Sequence, residues 1–340
     1  MNGRYSRQEL FRGIGPGGQL KLAAGHVLIV GAGALGTGNA EALVRAGVGV
    51  VTIVDRDYVE ASNLQRQLLY SEEDALQRLP KAVAAKARLE AVNSEVDIRA
   101  VVADVTLAEL EELTEGVDII VDATDNFETR LLINDMSQKL GIPWVYGACV
   151  GSYGLTFTIV PGVTPCLNCL LETMPSGGAT CDTVGVIAPA VQMVVAYQVA
   201  ETLKLLVGDR EALHGKLISF DLWSNSHTAI RVDRMKKPGC PSCGDAPVYP
   251  YLQAENHSRT AVLCGRDTVQ IRPPSPIRRD LAELARTLER LGVGKVESNP
   301  YLVSLTIDGH RLVLFADGRV LVHGTKDVVE ARSLYHRYLG

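Results

Sequence analysis

A short apolar run, HVLIV at 26–30, ends in Gly31-Ala32-Gly33-Ala34-Leu35-Gly36 and passes straight into the helical pattern ALGTGNAEALVRAG. Few arrangements tolerate three glycines at this spacing between a strand and a helix. Gly31 permits a tight turn, Gly33 lets the backbone approach a phosphate, and Gly36 allows the helix to pack closely on the strand. The free N–H groups of the helix start then face an anion. The next strand pattern, VGVVTIVD, ends at Asp55, where a carboxylate can take a ribose hydroxyl. On its own the motif suggests NAD, with a turn that merely needs glycine as the alternative.

The rest of the first 245 residues repeats this alternation. PKAVAAKARLEAVN reads as an amphipathic helix with Pro80 at its start. DIRAVVAD, VDIIVDAT and PWVYGA read as strands, and LAELEEL and NFETRLLINDMSQKL as helices. YGLTFTIV alternates strictly enough to belong to an antiparallel part. The expectation is an α/β fold, a Rossmann-like doubly wound and mostly parallel sheet with an antiparallel portion. Residues 1–24 read as a helical arm and 25–245 as the nucleotide-binding domain. KKPGCPSCGDAPVYPYLQAENHS, rich in Pro, Gly and Ser, reads as a linker, and 246–340 as a small α+β domain with an Asp317-Gly318 hairpin.

Thr183–Ala200 holds no charged residue and sits at the lower limit for a membrane span. Its Gly, Pro, Gln and Tyr content, and its continuation into ETLKLL, favour a buried helix entered at Pro189. The start MNGRYSRQELFRGIG has no apolar signal stretch, so the cytoplasm is the expected compartment. With 39 acidic against 34 basic residues, the chain has no overall basic field for nucleic acid or an anionic membrane.

Seven cysteines are too few for a disulfide scaffold in 340 residues. Cys166-x-x-Cys169 and Cys240-x-x-Cys243 place two sulfurs on each of two tight turns, which together complete a tetrahedral thiolate shell for a structural zinc. Cys149 and Cys264 lie in apolar strand-like runs and read as inert thiols. Cys181 follows a Gly-rich loop before a helix, where a thiol is accessible or merely part of the loop. Asn63, Arg66, Gln67 and Lys81 follow Asp55 closely. They read equally as a solvated loop and as a set that neutralises a polyphosphate. In Asp122-Ala123-Thr124-Asp125-Asn126, Asp125 suits both a Mg²⁺ ligand and a helix N-cap.

In this order, Arg4-Tyr5-Ser6-Arg7-Gln8, GAGALG, Ser62-Asn63-Leu64-Gln65-Arg66-Gln67, Pro80-Lys81, DATDN, the two CxxC pairs and ATCDTVGVIAP resemble the ThiF/MoeB/HesA adenylyltransferases. These are bacterial relatives of ubiquitin-activating enzymes, and the resemblance covers about residues 4–245. It implies ATP-dependent adenylation of the C-terminal glycine of a ubiquitin-like sulfur carrier ending in Gly-Gly. Carried over by position, Gly31, Gly33 and Gly36 form the nucleotide loop and Asp55 binds ribose. Asn63, Arg66 and Lys81, with Gln67 beside them, contact the phosphates, and Asp125 goes with Mg²⁺. Arg7 reaches the neighbouring subunit of a homodimer, and Cys181 is the loop cysteine that links covalently to the carrier in the thiazole branch. The antiparallel part would bind the carrier. ATCDT and NFETRLLINDMSQK lean toward the thiazole (ThiS-type) carrier over the molybdopterin (MoaD-type) one. Leu79 stands where the family often has Gly, and Gln270 after Cys264 excludes a rhodanese persulfide loop. An NAD-dependent oxidoreductase would leave Arg66, Lys81 and the cysteine pairs without a role. A non-catalytic scaffold for a ubiquitin-like partner would not need the phosphate set.

Overall fold

The computed structural model describes residues 3–171, 184–253, 260–262, 267–272 and 277–339. The chain forms two compact units, Met1–Asn256 and His257–Gly340.

In the first unit eight strands form one sheet. They are β1 His26–Val30, β2 Val50–Asp55, β3 Asp97–Val102, β4 Ile119–Asp122, β5 Trp144–Val150, β6 Tyr153–Ile159, β7 Lys216–Asp221 and β8 Ser226–Arg231. Their order is β3-β2-β1-β4-β5-β6-β7-β8. The first five are parallel, and the last three continue the sheet antiparallel. The parallel strands are apolar on both sides because helices cover both faces. Val27, Ile29, Val51 and Ile53 pack with Leu43 and Leu89 of the helices Ala34–Ala46 and Lys81–Val92. On the other face, Leu28, Val30 and Ile120 pack with Leu110, Leu132 and Ile133 of Leu107–Leu113 and Phe127–Leu140. The chain runs outward from β1 through β2 to β3, then crosses back to place β4 on β1's other side. A crevice therefore opens beyond the carboxyl ends of β1 and β4, the usual ligand position in such sheets.

The helix Ala188–Val207 is long and apolar enough to cross a membrane by length and composition. It carries Pro189 in its first turn, as expected. Its buried polar side chains tie it to the sheet instead. Gln198 Nε2 donates to the carbonyls of Asp122 (2.7 Å) and Val145 (3.1 Å), and Thr158 donates to Glu201 at 2.9 Å. Val191, Val194 and Val195 of the same helix are buried beside Leu35 and Phe220.

Two features depart from the sequence expectations. KLISFD and SHTAIR, assigned to no element, are β7 and β8. Every residue of β8 is exposed, so the edge strand carries no burial pattern to read. The expected linker is packed structure through Gln253. Ser242 is fully buried and accepts from Asn168 Nδ2 at 3.1 Å, and the Tyr251 N–H donates to Asp135 at 2.9 Å. A side chain at Gly244 would collide with the Pro238 carbonyl at 2.2 Å. Turn geometry and sulfur packing, rather than a repeating apolar face, specify this segment. Residues 246–256 accordingly belong to the first unit.

The second unit is α+β. Its antiparallel sheet has the order β11-β12-β13-β14-β10-β9, with β9 Thr260–Val262, β10 Thr268–Ile271, β11 Lys295–Ser298, β12 Leu302–Ile307, β13 His310–Phe315 and β14 Val320–His323. The helices Leu281–Leu291 and Val328–Leu339 bury Ala285, Leu288, Ala331 and Leu334 against one face, on Val303, Leu305, Leu312 and Val322. Asp280 caps the first helix, accepting from the N–H groups of Ala282 and Glu283. Gly318, in the expected hairpin, has φ +83°.

Candidate functional site

The glycine loop lies at the mouth of the crevice. Gly31 has φ +102°, and a Cβ there would lie 2.5 Å from the Ala123 carbonyl. A Cβ on Gly36 would meet the Gly31 carbonyl at 1.9 Å. At Gly33 the nearest atom to such a Cβ is Gln67 Nε2, at 3.9 Å. Two glycines thus close the turn, and the third leaves backbone open to a ligand. The Gly33 carbonyl accepts the first intrahelical bond, from Thr37 N–H at 3.0 Å. The N–H groups of residues 34–36 have no partner within the helix and are the donors a phosphate needs.

Asp55 and Gln67 touch this loop and Lys81 faces Asp55, while Arg66 and Asn63 bond within their own segment. Asp55, at the end of β2, accepts from Ala32 N–H (2.6 Å) and Asp57 N–H (2.7 Å). Burial raises its pKa against the opposing pull of Lys81. Lys81 opens its helix, is 4% exposed, and its Nζ lies 3.3 Å from Asp57. Gln67 is buried, and its Oε1 has no hydrogen-bond partner. A buried amide oxygen without a donor is costly, and a ribose hydroxyl or the adenine amino group of a bound nucleotide would supply one, whereas the phosphates only accept. Arg66 is half-buried and donates to the Ser62 carbonyl at 2.9 Å. Asn63 is buried, with its Oδ1 accepting from Glu60 N–H at 3.1 Å as part of a capping box.

The DATDN segment gives the helix cap to Asn126 rather than to Asp125. Asn126 is the N-cap of Phe127–Leu140, accepting from Thr129 N–H at 2.9 Å. Asp125 is exposed instead, and its charge helps to hold Arg56 and Arg130 protonated. Asp122 is fully buried and engaged, accepting from Arg130 Nε at 3.0 Å and from the Thr124 hydroxyl at 2.7 Å. Arg130 also donates to the carbonyls of Thr124 (2.7 Å) and Gly147 (3.0 Å). This buried pair sets the backbone that presents Asp125. Sequence reading passed over Asp57 and Arg130. The signals were an acid two positions after Asp55 and a basic residue on the apolar face of its helix.

Arg7 lies elsewhere. Its arm packs where the helix Ala34–Ala46 ends: Tyr5 sits against Gly47, and Gln8 donates to the Ala46 carbonyl at 2.8 Å. Thirteen helical residues, about 20 Å, separate that end from the glycine loop. Arg7 is exposed and is not brought to this chain's own loop. Cys181 falls outside the described residues.

Cys166, Cys169, Cys240 and Cys243 converge, with their sulfurs all within 4.8 Å of one another. Cys166 lies 3.6 Å from Cys240, and Cys169 lies 3.5 Å from Cys243. A zinc ion with bonds of about 2.3 Å to four tetrahedral sulfurs sets them about 3.8 Å apart, so the donor set and its spacing fit zinc. Burial pushes the Cys243 thiol up to about 11 and Cys166 further. Four protein ligands leave no open position, as in a structural site.

The chain is similar to known proteins over the residues that hold this site. The ThiF family model matches residues 5–242. The sulfur carrier protein ThiS adenylyltransferase of Bacillus subtilis is 56% identical over 340 residues, covering 100% of both chains. The sulfur carrier protein adenylyltransferase of Thermus thermophilus is 39% identical over 256 residues, 73% of this chain and 93% of its own. The molybdopterin-synthase adenylyltransferase of Escherichia coli is 36% identical over 243 residues, 71% of this chain and 96% of its own. Among solved structures, Escherichia coli MccB with ATP shares the fold, with a TM-score of 0.62 at 24% identity over 72% of this chain and 75% of that one. The glycine loop, the basic segment after Asp55 and three of the four paired cysteines (Cys166, Cys169 and Cys240) therefore lie within the match that makes this chain a member of the ThiF family.

Proposed function

We propose that the protein uses ATP to adenylate the C-terminal glycine carboxylate of a ThiS-type sulfur carrier, releasing pyrophosphate. The observation that carries the choice of carrier is the 56% identity over all 340 residues to the Bacillus subtilis enzyme, which includes the second unit. The molybdopterin-synthase relative aligns over only 71% of the chain.

The chemistry asks for little proton transfer. The carrier's carboxylate is already ionised at pH 7. One of its oxygens attacks the α-phosphorus, the bond from that phosphorus to the bridging oxygen breaks, and its electron pair leaves with pyrophosphate. Two anions must be brought together and charge at phosphorus stabilised, so positioning and electrostatics dominate. We assign Asp55 to the ribose and the backbone of Gly31, Gly33 and Gly36 to the phosphates, with Arg66 and Lys81 neutralising them and the amides of Asn63 and Gln67 orienting them. Lys81 is held by Asp57 and kept out of bulk water, where its charge acts most strongly. Mg²⁺, when bound, would neutralise phosphate oxygens, and Asp125 is the exposed carboxylate available to hold it. We assign zinc to the four cysteines as a staple between segments 166–169 and 240–243. Arg7, held at the far end of the helix from its own loop, would serve the site of a second copy in a homodimer. Cys181 would form the covalent link to the carrier, and the antiparallel strands would receive the carrier's body. A reducing cytoplasm suits a protein with these free thiols.

The test is ATP–pyrophosphate exchange with purified carriers ending in Gly-Gly. Exchange with the ThiS-type carrier is expected. Exchange only with the molybdopterin carrier would move the protein to the other branch, and exchange with neither would remove the reading. Cys181→Ser is expected to keep exchange and lose any covalent adduct seen by mass spectrometry. An unchanged adduct would take Cys181 out of that role.

A further inference from the structure

We propose that Tyr70 is a positioning residue for ATP, acting through Ala32 to aim the Gly33 N–H. The proposal rests on the ATP-binding reading of the glycine loop. Tyr70 is 9% exposed and packs in the core cluster with Val59, Leu69 and Leu89. Its hydroxyl lies 2.6 Å from the Ala32 carbonyl and 3.2 Å from the Lys81 carbonyl. A phenol has one hydrogen, so the shorter contact takes most of it and the longer one is secondary. Burial, with the carboxylates of Asp55, Asp74 and Asp57 nearby, holds the phenol well above its ordinary pKa, so the proton stays in place.

Ala32 is thereby held at both ends. Its N–H donates to Asp55 Oδ2 and its carbonyl accepts from Tyr70. In a planar trans peptide the carbonyl and the next N–H point in opposite directions. Fixing the Ala32 carbonyl on Tyr70 therefore turns the Gly33 N–H away from Tyr70. Among the described residues no backbone carbonyl accepts that N–H. Gly33 is also the loop position with open space beside it. The secondary contact carries the same strut to the first residue of the Lys81 helix, so one hydroxyl joins the loop to the backbone that bears the phosphate-neutralising lysine. Ring packing alone would be served equally by phenylalanine. The hydroxyl is the added feature, and both of its acceptors are main-chain atoms of the candidate site.

The test is Tyr70→Phe in the full-length protein. Exchange kinetics are read with the ThiS-type carrier, and ATP affinity is read by calorimetry without carrier. Loss of one well-placed hydrogen bond corresponds to about a tenfold change in an equilibrium constant. The KM and Kd for ATP are expected to rise about tenfold. The KM for the carrier and the zinc content should stay at wild-type values, and the melting temperature should fall by only a few degrees, the cost of one buried hydrogen bond. Ser71→Ala removes the adjacent helix cap without touching the loop and should leave ATP affinity unchanged. Wild-type ATP affinity in Tyr70→Phe would overturn the proposal. So would an equal loss of carrier affinity in Tyr70→Phe, or an equal loss of ATP affinity in Ser71→Ala. If wild-type protein binds ATP but exchanges with no carrier, the adenylation reading fails, and calorimetry still decides the role of Tyr70.

Discussion

The glycine-loop crevice and the cysteine cluster sit in the same unit and are built on opposite principles. At the cluster, four sulfurs face one another with nothing left over, and every ligand position is filled by the protein. At the crevice, the protein supplies unmatched partners: helix-start N–H groups, a buried Gln67 oxygen without a donor, and open space beside Gly33. A closed donor set holds a fold together, whereas an open one awaits a substrate. The contrast separates residues whose loss should unfold the protein from residues whose loss should only silence it.

Arg66→Ala should produce the largest effect on activity. Exchange is expected to fall about 10²–10³-fold, the scale of removing a donor aimed at developing charge. Zinc content and melting temperature should be unchanged. A folded variant with normal exchange would take Arg66 out of the site. Cys240→Ser is expected to do the reverse. Metal analysis should fall from one zinc per chain toward none, and the melting temperature should drop by roughly 5 °C or more. A stable variant that retains zinc would break the contrast from the other side.

A pair of glycine variants sharpens it within a single loop. Gly36→Ala forces a Cβ onto the Gly31 carbonyl and should lower stability by about 3 kcal/mol or more in denaturant titration. Gly33→Ala meets only the tip of Gln67 and should cost less than about 1 kcal/mol, while raising the KM for ATP severalfold. Equal stability losses would mean that Gly33 is there for the turn.

The smallest effect concerns pH. Burial raises Asp55, so the folded protein binds that proton more readily than the unfolded chain does. Its contribution to the stability of the empty protein is complete below about pH 4 and is lost as pH rises through the raised pKa. Ribose binding runs the other way, because the ionised carboxylate is the stronger acceptor. The rise in melting temperature caused by ATP should therefore be smaller at pH 5 than at pH 7. An equal rise would argue against Asp55 as the ribose ligand.

The sequence made the scaffold legible where one residue type has one physical use. Gly31 and Gly36 cannot carry side chains, and two CxxC pairs in a chain of this kind read as a metal shell. It was illegible where the same residue serves several purposes. Asp125 and Asn126 are both good N-caps, and only the structure gives the cap to Asn126 and leaves Asp125 exposed. Lys81 was visible as a helix-start lysine, but its partner Asp57 is set by the turn after β2, which no periodicity reports. Tyr70 belongs to no sequence motif, since its ring is core and only its hydroxyl reaches the loop. The stretch 238–253 looked like a linker because sulfur packing and tight turns leave no repeating pattern.

The central claim is that the open crevice adenylates a sulfur carrier. Its most direct test is ATP–pyrophosphate exchange by the full-length protein with the ThiS-type carrier, beside the same carrier lacking its terminal glycine. Exchange that requires the intact Gly-Gly end is the predicted result. No exchange with the intact carrier, or equal exchange with the truncated one, would contradict it.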